Sequence, residues 1–84
     1  MFRITLQYQQ PGNNQWIPKE IELIRIPIIG DVIGTNTGIN KQQEVDYFLV
    51  KSVALIDATE GYAATVWTTR VNLISDGTFE ESEK

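Results

Sequence analysis

Residues 26–33 read I-P-I-I-G-D-V-I. The alternating pattern before this octapeptide and the apolar run after it form one compact body only if the chain turns here. Pro27 fixes its own φ and brings no N–H to a sheet ladder, Gly30 takes a positive φ at no steric cost, and Asp31 can accept hydrogen bonds from nearby backbone. That chemistry predicts a corner in a β-structure rather than an active site.

Working outward toward the N-terminus, Phe2, Ile4, Leu6 and Tyr8 alternate with Arg3, Thr5 and Gln7, the period of two of a strand with one buried face. Residues 10–15 (Q-P-G-N-N-Q) are turn chemistry, so residues 16–26 should return antiparallel to the first strand. Ile21 and Leu23 share a face opposite Glu20 and Glu22, and the apolar set then shifts to Ile24, Ile26 and Ile28. That change of parity predicts a bulge or a change of sheet.

Working outward the other way, Val32 and Ile33 start a short third strand ending at Gly34, and residues 35–44 form a polar loop, either mobile or functional. Residues 45–56 (V-D-Y-F-L-V-K-S-V-A-L-I) are apolar almost throughout. A bend near Lys51 and Ser52 would let Phe48, Val50 and Val53 all reach the core. Residues 57–61 (D-A-T-E-G) fit a hairpin loop with Gly61 in the left-handed position. In residues 62–74, Ala63, Trp67, Val71 and Leu73 are expected on one face, and the β-branched content favours a strand. The reading is all-β: residues 1–74 as one small five-stranded, antiparallel, partly open barrel, and residues 75–84 as a disordered acidic tail with Phe79 as its one large apolar residue.

The pattern Pro27-x-x-Gly30-Asp31-x-Ile33, followed by a polar loop and Phe48-x-Val50-x-x-Val53, resembles one found in small SH3-like barrel proteins of bacteria and their phages. The resemblance covers about the middle third of the chain. It implies a partly opened five-strand SH3-like barrel and a phage or mobile-element origin, and it brings no catalytic residue with it. The loop before Phe48 is longer than in that pattern.

Composition narrows the chemistry. The 84 residues include no cysteine and no histidine, so disulfides, thiol nucleophiles and soft metal sites are out of reach, as are the usual neutral-pH base and the usual zinc ligand. The net charge of −4 is uneven: residues 1–74 hold six Lys and Arg against seven Asp and Glu, and the last ten residues hold four acids against one lysine. A near-neutral body and an acidic end suit a phosphate backbone poorly. The alternating start and the lack of any long apolar run predict a soluble, cytoplasmic protein with no membrane segment.

For candidate sites, Asp31 reads as satisfying local backbone, and Asp57 with Glu60 offers too few oxygens for calcium, so no metal or other cofactor is expected. No spacing brings two of Asp31, Asp46 and Asp57 together for acid–base work, and the chain is read as a non-enzyme. Phe2, Phe48 and Trp67 are expected in the core, Trp16 and Tyr62 half-exposed beside turns, and Tyr47 on either side. Trp16, Tyr62 and Tyr47, with Arg25 and Arg70, are the candidate binding residues; Pro27, Gly30, Asp31 and Gly61 are turn residues. The expected function is a protein-interaction or structural accessory module. The alternative, a single-stranded nucleic-acid binder, would need Arg3, Arg25, Lys51 and Arg70 on one face.

Overall fold

A computed structural model describes residues 1–10, 12–37, 45–74 and 76–81. The elements in chain order are β1 (Phe2–Tyr8), β2 (Ile17–Leu23), β3 (Val32–Thr35), β4 (Asp46–Leu55), a single 3-10 turn (Ala58–Glu60), β5 (Ala64–Leu73) and β6 (Phe79–Glu81). They form one sheet in the order β2-β1-β5-β4-β3, with β6 on β5. The chain is all-β, and its sheet is not closed, because β2 and β3 share no ladder.

Strand directions follow from simple counting. β1–β2, β3–β4 and β4–β5 are antiparallel, whereas β1 and β5 run parallel, with Ile4 opposite Ala64 and Gln7 opposite Trp67. Five strands joined by reversing connections put the fifth in the same direction as the first, so the pair that brings the chain's two ends together has to be parallel. The all-antiparallel expectation fails at this one pair. Ala63 N–H donates to Arg3 O at 2.8 Å to extend the pair, and Thr68 Oγ1 donates to Gln7 O at 2.9 Å where β1 ends.

The core lies on the inner face of the curled sheet. Ile4, Leu6 and Tyr8 from β1, Ile33 from β3, Phe48 and Val50 from β4, and Ala64 and Val66 from β5 are buried together, with Ile17, Ile21, Leu23, Ile26 and Val53 packed against them. Tyr8 and Phe48 rings lie 5.4 Å apart and tilted, within the range in which aromatic pairs attract. The register of β4 against β5 slips between Val50 and Ser52. Lys51 is thus the extra residue, and Phe48, Val50 and Val53 face the core as its bulge requires.

Elsewhere the pattern misleads. β2 stops at Leu23, so the parity change at Ile24 marks the end of a strand and not a bulge or a change of sheet. On β5 the buried inner set is Ala64, Val66 and Thr68, and Trp67 is half-buried on the outer face. Its cross-strand neighbours there are Gln7 and Ser52. Phe2 is inward by parity yet 43% exposed, at the first position of its strand. Thr35 continues β3 one residue past the expected stop at Gly34, and residues 38–44 of the polar loop lie outside the described residues.

Of the expected disordered acidic tail, Phe79–Glu81 form a strand, and residues 75 and 82–84 lie outside the described residues. Instead of fraying after Ile74, the chain reverses, with Gly77 N–H on Ile74 O and Ile74 N–H on Thr78 O, and lays β6 against Val71–Leu73 of β5. Phe79 reaches across to Tyr47, ring centroids 5.2 Å apart, and Glu81 pairs with Lys51 at 2.6 Å. An aromatic contact, an ion pair and a short ladder thus accompany the reversal.

Two outcomes follow. Gly30 has φ +97° and open space where a Cβ would stand, so its cost on substitution is backbone strain alone: Gly30→Val should lose about 1–2 kcal/mol and Gly30→Ala less, read from denaturation midpoints. Phe79→Ala should lower the melting temperature by about 4–8 °C, the shift worth about 1 kcal/mol in a domain of this size. An unchanged melting temperature would mean that β6 adds nothing.

Candidate functional site

Between the end of β2 and β3 the chain makes its corner, and the corner is held by one carboxylate. Asp31 Oδ2 accepts from Ile28 N–H at 2.9 Å, closing the turn that Gly30 allows. Both oxygens also face Arg25, whose Nη1 and Nη2 donate at 2.7 and 3.1 Å in a two-pronged pair. A bidentate guanidinium pair fixes orientation as well as charge. Gly30 N–H donates to Val50 O and Val50 N–H to Asp31 O, at 3.0 and 2.8 Å, which fastens the corner to β4. Asp31 therefore does what its turn chemistry predicts and also holds Arg25.

The carboxyl of Asp31 sits below its ordinary value of 3.8, first because of the hydrogen bond from Arg25 and second because of that from Ile28. A depressed folded value means stability that is complete above the ordinary value and is lost as pH falls through the lower one.

Beside this clamp is a cavity of about 260 Å³ lined by Leu23, Ile24, Arg25, Pro27, Asp31 and Val32, with Ile33 and Gly34 at its β3 side. It is the open seam left by the missing β2–β3 ladder. At its far end Lys19 of β2 donates to Asn36 O just beyond β3. A lysine side chain plus a hydrogen bond is longer than the about 4.8 Å between paired strands, so the two edges stand apart while a side chain links them. The volume falls just under the about 300–1,000 Å³ of small-molecule pockets, a size that suits one or two side chains better than a cofactor.

The corner's outer surface is apolar. Ile24 is 84% exposed, Ile28 65% and Ile29 68%, whereas Pro27 is buried and Ile26 half-buried. Leu55 at the end of β4 is also exposed, at 74%, and stands near the level of Ile24, since Leu55 pairs with Ala64, Ala64 with Ile4 and Ile4 with Ile21. Sequence reading missed these side chains because an isoleucine-rich run reads as core. The signal was the parity change at Ile24, which detached the run from β2.

The expected binding residues do not form one site. Trp16 is half-exposed before β2 and Arg25 follows β2's far end, so a seven-residue strand of about 23 Å separates them. Tyr62 is half-buried before β5 at Arg25's end of the sheet, and Arg70 is half-buried toward the other end, paired across to Phe48. Tyr47 is occupied by Phe79. Of these, Arg25 alone lines the seam, with the turn residues Pro27 and Asp31. Gly61, at φ +88°, closes the β4–β5 loop as expected. In that loop Asp57 accepts from Thr59 N–H and Oγ1, at 3.0 and 3.1 Å, which commits it to the turn. Asp46, buried at the start of β4, accepts from Thr37 Oγ1 at 2.7 Å. No two of Asp31, Asp46 and Asp57 share a hydrogen-bonding partner among the described residues.

No protein-family model, curated protein or solved structure matches the chain. No helix among the described residues is long and apolar enough to cross a membrane.

Replacing Asp31 by Asn removes the acid-sensitive part of the clamp. In melting curves at a series of pH values, Asp31→Asn should lower stability at neutral pH and lose less than the parent does as pH drops below 3.8. Parallel pH profiles for the two proteins would show that the clamp contributes nothing.

Proposed function

We propose that this protein is a non-enzymatic protein-interaction module acting through the corner and the seam beside it. The observation that carries the reading is the exposure of Ile24, Ile28 and Ile29 on a segment that the Asp31–Arg25 clamp and Gly30 hold in one shape. Exposed aliphatic side chains, three of them within six residues here, mark sites that a partner covers. Holding them in place beforehand spares the partner part of the ordering cost. The curled, open sheet is compatible with the SH3-like barrel that the Pro27 to Val53 pattern resembles, and we read the chain as such a barrel of phage or mobile-element origin, working in the cytoplasm.

The charges favour a protein partner over nucleic acid. Arg25 is bound to Asp31, Lys51 to Glu81, and Arg3 lies 4.0 Å from Glu22. A cation held by a neighbouring carboxylate releases fewer counterions from a phosphate backbone, which leaves Lys19 and Arg70 as the described Lys and Arg cations with no carboxylate within 4.0 Å among the described residues.

Affinity capture from host lysate with the tagged protein tests the reading. A double variant, Ile28→Ser with Ile29→Ser, should fold normally and lose its captured protein at least tenfold, about 1.4 kcal/mol or more. Equal capture by parent and variant, or micromolar binding of an oligothymidylate at physiological salt, would overturn it.

A further inference from the structure

The two edges of the open sheet are protected very differently. β2 reads I-P-K-E-I-E-L: Pro18 has no N–H to offer, Lys19 points inward across the seam to Asn36, and Glu20 and Glu22 are exposed on the outer face. Proline, inward charge and outward charge are the usual means of blocking an edge against a further strand. β3 reads V-I-G-T and has none of them.

The ladder identifies which groups of β3 are open. Hydrogen-bonded pairs alternate along an antiparallel ladder, and Val50 N–H on Asp31 O is one of them. Ile33 opposite Phe48 and Thr35 opposite Asp46 are therefore the next bonded pairs, while Val32 and Gly34, opposite Leu49 and Tyr47, turn their N–H and C=O away from β4. Val32 and Gly34 both line the seam cavity. Among the described residues, no strand pairs with that edge.

We propose that the open edge of β3 is a strand-addition site for an extended segment of a partner protein, aliphatic at alternate positions and basic at the positions between. Backbone groups of Val32 and Gly34 supply the main-chain hydrogen bonds. Side chains on the inner face of the added strand enter the cavity against Leu23, Pro27 and Ile33, and those on its outer face come beside Glu20 and Glu22 of β2. Strand addition draws affinity from the main chain and selectivity from such alternate pockets. Glu20 has no ion-pair partner among the described residues, and Glu22 only the long contact to Arg3. With a net charge of −4 on each chain, a second copy is disfavoured as the occupant.

This inference rests on the interaction reading and is tested separately from it, with a capped six-residue peptide alternating valine and lysine, followed by NMR on the full chain. Saturating peptide should slow amide exchange at Val32 and Gly34 at least tenfold. The same peptide N-methylated at every residue should not bind, and a valine–glutamate version should bind at least tenfold more weakly. Val32→Pro, which removes an outward N–H and no ladder bond, should weaken binding at least tenfold; if it unfolds, the N-methylated peptide still decides. Shifts confined to Ile24, Ile28 and Ile29 without protection at Val32 and Gly34 would overturn strand addition and leave the interaction reading standing. Absence of binding, equal binding of the glutamate peptide, or concentration-dependent protection of the same amides without peptide would also overturn it.

Discussion

The carboxylate of Asp31 is the constraint on which the arrangement depends. It accepts from Ile28 N–H within its own turn and from the Arg25 guanidinium on the strand side of the corner, while its backbone oxygen accepts from Val50. One residue thus ties the exit of β2, the turn and β4 together. The chain has to travel from one edge of the sheet to the other between Leu23 and Val32.

The seam is the counterpart of that passage. A tight β2–β3 hairpin would have closed the strands into a barrel. The corner instead spends residues 24–31 in crossing the sheet's end, and β2 and β3 meet only through Lys19 and the lining of the cavity. The exposed isoleucines and the unpaired backbone of β3 have the same origin, since both lie where sheet and connection fail to merge.

Much of this was legible in the residues. The alternation of Phe2 to Tyr8, the bulge at Lys51, the left-handed Gly61 and the corner itself each follow from local chemistry, and local chemistry is what a sequence displays. Two features were not legible. Trp67 looks like core by type, yet its position on β5 is set by the register with Gln7 and Ser52, which only the assembled sheet determines. Phe79 stands among acids, and its partner Tyr47 is 32 residues away. The candidate site was half visible: Pro27, Gly30 and Asp31 stood out as a turn, but their partnership with Arg25 and the exposure of Ile28 and Ile29 depend on where the crossover lies. Trp16 and Tyr62, chosen as aromatics beside turns, lie at opposite ends of the sheet because turn chemistry says nothing about which turns are neighbours.

The parallel β1–β5 pair has a consequence for how the protein comes to be made. Ile4 meets Ala64 and Gln7 meets Trp67, so the first of these strands to be made has on one side a partner made about sixty residues later. Until then β1 has β2 alone, and an isolated two-stranded hairpin is marginal in water. Closing a chain segment this long before any core contact rewards it places the domain among the slower folders for its size. Ile4, Leu6 and Tyr8 consequently stay uncovered until β5 has been made, so the synthesis of β5, and not of any one hairpin, is the event that permits the core to form.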